Sequence, residues 1–334
     1  MLILPLRFFL LCGLVLTFAP LFSSIDARVA ALQAYALHLA VANAVLALAL
    51  LALQRRLWAF AGLIAVFWNM ALVGPTLIPR AAVAEAADRS AAARPLKVVS
   101  LDFWIEHPDP AEAIAFLAKS GADVIGLAEV TPELKDALAS LKEQYPYSID
   151  CIGKDPFCEL MLLSKKPLRY PFAGKVGAKL TYVASADIDW QGKPVSIAMT
   201  HVALPFIKPD WAPLLASIPA DDPAPLLPGT PVLWQSMQAA VMAEYAKTLG
   251  RDRIVMGNFN STPWSDVQAA LRAAAGLENR GPLVPTWPAW LPAPLRIPID
   301  SVFVGGKLAP KEMRSGPDVG SDHLPVIAEI AGAP

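Results

Sequence analysis

Apolar positions crowd the first 79 residues of the chain and alternate with polar ones thereafter. Three long apolar runs, Phe8–Phe22, Val29–Leu53 and Leu57–Ile78, each approach the ~17–25 residues that a helix needs to cross a bilayer. They lack the polar stripe that helices of a soluble bundle turn to solvent, so the pattern predicts three membrane helices. Gln33, His38 and Asn43 in the second run and Asn69 in the third are read as packed helix contacts, although polar groups inside a membrane are sometimes functional. A cleaved leader is the rival reading of the first run alone. The two spans behind it, and the absence of a clean small-x-small cleavage site, favour an uncleaved anchor.

Cations in the short loops set the orientation. Arg7 precedes the first run and Arg55-Arg56 separates the second from the third, while only Arg28, beside Asp26, lies on the other side. The positive-inside rule keeps the first two sites in the cytoplasm. The chain is therefore expected to be a multi-pass protein of the cytoplasmic (inner) membrane, with everything beyond Ile78 on the periplasmic or extracytoplasmic side. Residues 1–79 form the anchor in this reading. Residues 80–95, rich in Ala, form a linker with too few large apolar side chains to build a core.

From Leu96 onward short β-rich runs alternate with helical ones. Lys97–Leu101, Asp123–Leu127, Glu159–Ser164, Tyr182–Trp190, Val195–Thr200, Ile254–Met256, Ile299–Val304 and Pro325–Ile330 read as strands. Gln191-Gly192-Lys193 turns the fourth of these into the fifth. Helical spacing marks Pro110–Lys119, Pro132–Glu143, Val232–Leu249 and Ser265–Ala274. Strands so interleaved with helices predict an α/β domain over 96–334 in which two sheets pack together with helices outside. No internal repeat is visible.

Charge narrows the partners. The whole chain carries a formal net charge of −1, but from Leu96 to the end 21 Lys and Arg stand against 26 Asp and Glu, near −5. That is not the basic surface of a protein that grips nucleic acid through its backbone. Of the three cysteines, Cys12 lies in the first run, and Cys151 and Cys158 bracket a segment containing Gly153 and Pro156. A loop of this kind can close into a disulfide in an oxidising compartment; two free buried thiols are the alternative.

Polar chemistry collects at strand ends. Asp102 follows the first strand, Glu129 the second, His201 the return strand of the hairpin, and Asn258 and Asn260 the next; Asp300, Asp322 and His323 flank the last two. Any one of them alone is an ordinary turn or solvated loop residue. The set is not, because this part of the chain has only three histidines and two of them stand in such positions.

The stretches VVSLDFW, DVIGLAEV, LMLLSKKPL, SIAMTHVALP, VMGNFNSTPWS, PIDSVFV and GSDHLPV resemble, in order and spacing, the motifs of the endonuclease/exonuclease/phosphatase superfamily, the DNase I-like phosphodiesterases. The resemblance covers about Leu96 to Ile330, and the anchored form looks like a bacterial branch. It implies a four-layered α/β sandwich with two mixed sheets flanked by helices and the site at one end. It also implies Mg²⁺ or Mn²⁺, with Glu129 as main ligand and Asp322 an acidic residue on the metal side. By the same resemblance His201 and Asn260 hold the scissile phosphate, His323 contacts it, and Asp300 orients His323. Such an ion prefers hard oxygen donors, and fixed donors suit the charge that builds during phosphoryl transfer.

Two positions depart from the family. Its Asn after the first strand is Asp102 here, and its Asp in the Gly-Asp-Phe-Asn loop is Asn258. An amide can align an attacking water but cannot take its proton. Asp102 could supply the missing charge as a second metal-side carboxylate. The alternatives are a weakened or inactive member that binds a phosphorylated ligand or a partner, and a purely structural membrane protein; the remaining family residues argue against the last. Nucleic acid, phospholipid and soluble phosphate ester all fit as substrates, and no protein partner is expected. The Pro-rich segment 204–234 carries Phe206, Trp211 and several leucines, either a lipid-facing loop beside the site or a segment that packs on its own domain and covers a sheet edge.

Overall fold

The structure, a computed structural model, describes residues 3–23, 27–77, 94–106, 109–177, 180–205, 230–278 and 281–332. The linker up to Ala93 and residues 206–229, which contain most of the Pro-rich segment, lie outside the described residues.

The segment expected to be the anchor is three helices: α1 (Ile3–Phe18), α2 (Ala36–Ala52) and α3 (Arg56–Leu77). With their flanking turns they give three segments long and apolar enough to cross a membrane: Ile3–Phe22, Arg28–Ala52 and Arg56–Leu77. Three of their polar residues meet one another. Thr17 of α1 accepts hydrogen bonds from the Asn43 amide of α2 at 3.1 Å and the Asn69 amide of α3 at 3.0 Å. Satisfying these groups across helices replaces the water that a bilayer cannot provide. Gly13 makes room for the arrangement, since a Cβ there would overlap the Asn43 carbonyl oxygen. His38 Nδ1 and the Asn43 side-chain oxygen are buried without a hydrogen-bond partner.

The remaining described chain supplies β1 (Leu96–Asp102), α4 (Ala111–Lys119), β2 (Val124–Ala128), α5 (Pro132–Leu138), β3 (Tyr147–Asp150), β4 (Met161–Ser164), β5 (Arg169–Lys175), β6 (Tyr182–Trp190), β7 (Lys193–His201), α6 (Thr230–Thr248), β8 (Arg253–Asn258), α7 (Asp266–Ala275), β9 (Asp300–Gly305), β10 (Leu308–Ser315) and β11 (Val326–Gly332). One sheet runs β10-β11-β1-β2-β4-β3 and the other β5-β6-β7-β8-β9. Both are mixed: β1 and β2 are parallel, as are β7 and β8, and the other pairings are antiparallel.

Alternation along the strands makes the layers. Val98, Val124, Leu162 and Ala328 of the first sheet meet Ala184, Ile197, Met199 and Met256 of the second in one core. Their neighbours Val99, Leu101, Ile125 and Leu127 turn outward onto Ala113 and Leu117 of α4 and Leu134 and Leu138 of α5. On the far side Val183, Ala198, Val255 and Phe303 receive Met242 and Ala243 of α6 and Leu271 of α7. Helices, sheet, sheet, helices is the expected four-layered sandwich. Gly126 permits the sheets' close approach, because a Cβ there would meet Met199 Sδ at 2.8 Å.

Every strand expected from the sequence is present, within a few residues at its ends. Three were not expected: β3, β5 and β10. Each is a sheet edge, and each keeps exposed residues in its pattern, so the apolar signal that marks a central strand is diluted. Arg94, assigned to the linker, instead joins the domain through a 2.9 Å ion pair with Asp123.

Cys151 and Cys158 form the disulfide, with Cα atoms 5.7 Å apart. Closing so short a loop restricts the unfolded chain, and replacing both cysteines by Ala is expected to cost about 2–3 kcal/mol of stability. Denaturant unfolding in detergent, followed by tryptophan fluorescence, checks this; an unshifted midpoint would show that the bridge contributes nothing.

Candidate active site

Strand register gathers the polar residues. His201 pairs with Asn258 across β7 and β8, and Asn258 with Asp300 across β8 and β9, so the three form a row at one end of the second sheet. In the first sheet Asp102 ends β1 beside Ala128, and Glu129 follows directly. The loop before β11 adds Asp322 and His323. All eight residues named from the sequence thus come to the same end of the sandwich, and six of them, Glu129, His201, Asn258, Asn260, Asp322 and His323, line one cleft of 660 Å³.

Backbone strain concentrates there. Trp104, Glu129 and Asn260 adopt left-handed conformations with φ of 62°, 56° and 47°, which cost side-chain-bearing residues energy and persist where the surroundings hold them. Gly257, at φ 146°, has no such freedom to lose: a Cβ would overlap the Thr200 carbonyl. The glycine lets β8 run against β7 until Asn258 is in place.

The exchanged pair is in direct contact. The Asn258 amide donates to Asp102 Oδ2 at 2.9 Å, and Trp104 N–H donates to the other oxygen at 3.2 Å. The Asn258 carbonyl oxygen in turn accepts from Asn260 N–H at 2.8 Å, which fixes which end of the amide faces Asp102. The two residues therefore touch one another, where the sequence suggested only that Asp102 could supply the charge that Asn258 lacks. Burial opposes the Asp102 charge, but His323 and His201, helped by Asn258 and Trp104, outweigh it and hold this carboxyl below the usual carboxylate range.

Each catalytic-type histidine is backed by a carboxylate. His323 Nδ1 lies 2.8 Å from Asp300 Oδ2, and that oxygen also accepts from the Thr286 hydroxyl at 2.6 Å. His201 Nδ1 lies 2.6 Å from Glu159 Oε1. Both rings are thereby oriented with Nε2 free of the carboxylate. Burial disfavours the charged rings. For His201 the Glu159 hydrogen bond and the charges of Asp102, Glu159 and Glu129 prevail, and its pKa is pushed up to about 10. For His323 the charges of Asp300, Asp102 and Asp322, with the Asp300 hydrogen bond, have the same effect, again to about 10. The Asn260 amide sits 3.1 Å from His201 Nε2 and donates to the Val202 carbonyl at 2.8 Å.

Glu159 was not singled out in the sequence. It opens the apolar run of β4, and a lone carboxylate at the head of a buried strand was the available signal. The disulfide places it, since Cys158 is its neighbour and its carbonyl accepts from Val130 N–H, next to Glu129, at 3.0 Å.

Two groups have the donors for a cation. Asp102, Glu129 and His201 bring ligand atoms within 4.8 Å of one another, as do Asp102, Asp300 and His323. The first group fits Mg²⁺ or Mn²⁺ better, because it joins Glu129 of the cleft wall to the buried Asp102 behind it, while Asp300 is already committed to His323 and Thr286. Burial and repulsion from Asp102 push Glu129 up to about 8, the condition a divalent ion beside both carboxylates relieves. Asp322 belongs to neither group among the described residues; it accepts from the Trp287 indole N–H at 3.1 Å and lies 3.8 Å from His323 Nε2. Burial raises its carboxyl above the ordinary range.

Two mixed sheets face to face, with carboxylate-backed histidines, buried amides and a carboxylate pair at one end, define a phosphoester-hydrolase fold. The sequence matches the Endonuclease/Exonuclease/phosphatase family over residues 68–323, and the chain belongs to that family. Among solved structures it is similar to an endonuclease/exonuclease/phosphatase from Bacteroides vulgatus, at 16% identity and a TM-score of 0.54, over 72% of this chain and 100% of that one. A protein so described from Beutenbergia cavernae gives the same identity and TM-score over 72% of each chain. A beta toxin variant from Staphylococcus aureus, solved with bound magnesium ions, is 16% identical with a TM-score of 0.50, over 70% of this chain and 99% of that one. No curated protein matches.

Proposed function

We propose that the chain is a membrane-anchored, Mg²⁺- or Mn²⁺-dependent hydrolase of phosphoesters that acts outside the cytoplasm, residues 1–79 serving as anchor and 96–334 as catalytic domain. The observation that carries the reading is the direct Asn258–Asp102 hydrogen bond: the carboxylate that the loop lacks stands on β1 of the facing sheet, in contact with the amide in its place. Magnesium in the similar beta toxin supports the choice of ion.

Glu129 and Asp102 would hold the metal, with Asp322 an acidic residue at the same cleft. When bound, the ion withdraws charge from a phosphoryl oxygen and lowers the pKa of nearby water. Asp102, kept ionised by its surroundings, takes the proton of the attacking water, while Asn258 orients that carboxylate. His323, protonated across the neutral range and turned by Asp300, presents Nε2–H to the equatorial phosphoryl oxygens, where negative charge accumulates, and His201, turned by Glu159, stands beside the Asn260 amide at the same cleft. Asn260 adds an amide donor. The phosphorus–oxygen bond to the leaving group breaks as the bond to water forms.

Purified full-length chain in detergent is expected to hydrolyse a generic phosphodiester, with EDTA abolishing the activity and Mg²⁺ or Mn²⁺ restoring it. A metal-independent rate, or none on DNA, phospholipid and soluble diester alike, would sink the assignment. A cytoplasm-only reporter fused after Pro334 should be silent; a strong signal would overturn the topology.

A further inference from the structure

The structure joins anchor and domain at a place that matters for the site. Trp264 is buried, and its indole N–H donates to the Gln33 carbonyl at 2.6 Å. Its ring packs with Ala36 of α2 and Val73 of α3, beside Leu37 and Leu283. The Gln33 amide reaches Asp266 Oδ2 at 3.5 Å. Gln33 and Ala36 lie in the first part of the span Arg28–Ala52, and Val73 near the end of Arg56–Leu77. The seat therefore lies at the end of the bundle opposite Arg55-Arg56. An indole with an apolar body and one polar handle suits that headgroup level.

Trp264 belongs to the same loop as Asn258 and Asn260. The loop is stiff: Ser261 Oγ donates to the Phe259 carbonyl at 3.0 Å, and the Gln268 amide donates to the Ser261 carbonyl. Ser265 accepts from Gln268 N–H and caps α7. From α6 the buried Gln235 donates to the Asn260 carbonyl at 2.9 Å, and the same helix touches the 3₁₀ turn Ala27–Tyr35 of the anchor. Anchor and site thus share two supports.

Beyond the site the cleft is walled largely by apolar side chains, among them Ile105, Val130, Phe157 and Trp234, with Lys154 and Asp155 beside them. Trp234 stands in the first turns of α6, the helix in contact with the anchor. A soluble phosphate ester has no use for such walls, and a domain near −5 in charge does not draw a polyanion.

We propose that the Trp264 loop seats the catalytic domain on its own anchor and holds the cleft at the bilayer surface, so that the substrate is a phosphoester borne by a lipid of that membrane. This rests on the hydrolase reading above. Full-length chain in nanodiscs of phosphatidylethanolamine and phosphatidylglycerol, with Mg²⁺, is assayed on those lipids, on DNA and on soluble bis(p-nitrophenyl) phosphate. Trp264→Ala, and Ala36→Phe from the anchor side, are each expected to lower lipid hydrolysis at least tenfold and soluble-diester hydrolysis less than twofold. Equal losses on both, or none on lipid, overturn the role of the seat. Independently of activity, Gln33→Cys with Asp266→Cys, in a Cys12→Ser background, should crosslink through a short bismaleimide in the membrane, and absence of crosslinking overturns the seat. Hydrolysis of the soluble diester or DNA but not of lipid overturns the lipid substrate and leaves the hydrolase reading standing; hydrolysis of none overturns both.

Discussion

Asp102→Asn is expected to lower turnover by about 10²–10⁴-fold, the range for loss of a general base, with the fold retained. The substitution leaves two amides in contact and no group able to accept the water's proton. Asn258→Asp alone should not raise activity, since a second carboxylate within hydrogen-bonding distance of Asp102, 2.9 Å in the present pair, repels it in a buried site. The double exchange Asp102→Asn with Asn258→Asp should regain most of the loss. Steady-state kinetics on a soluble diester at saturating Mg²⁺, with circular dichroism as the check on folding, measures all three. A silent Asp102→Asn together with a large gain from Asn258→Asp would mean a degenerate loop that the family residue repairs, and compensation would be wrong.

Glu129→Ala should remove metal-dependent activity altogether, because no other carboxylate of the Asp102–Glu129–His201 group can replace it. The same residue sets a pH dependence. Its carboxyl is raised to about 8 without metal, so at neutral pH the ion must displace a proton from it. Affinity for Mg²⁺ should therefore rise with pH, by up to about tenfold per unit, and level off above about 8. The sign follows from the raised acid: the protonated form, which cannot bind, dominates below 8. Calorimetric titration with Mg²⁺ at several pH values reads both slope and proton release. An affinity independent of pH between 6 and 8 would remove Glu129 from the ligand set.

Central strands and the three long apolar helices were legible because burial on both faces, or an apolar surface all round, writes long apolar runs. The edges β3, β5 and β10 were not, since one side of each keeps polar or exposed residues. The eight candidate residues were legible as polar positions at strand ends, and the roles proposed for them rest on the family motifs. Glu159 escaped because its partner, His201, is 42 residues away and only the sheet arrangement and the disulfide bring them together. The seat of the domain on its anchor escaped for the same reason: Trp264 and Gln33 are separated by 231 residues, and nothing local in either stretch names the other.

The hydrogen bond between Asp102 and Asn258 also bears on how such a sequence could arise. Judged position by position, both residues are mismatches, and a motif scan would score the chain as having lost a catalytic acid. Judged as a pair, one amide and one carboxylate remain in contact, with only their strands exchanged. A lineage moving from one arrangement to the other by single substitutions must pass through two adjoining carboxylates or two adjoining amides. The first is costly without a cation and the second lacks a proton acceptor, so neither intermediate matches either endpoint, and the couplings between contacting residues make the path non-additive.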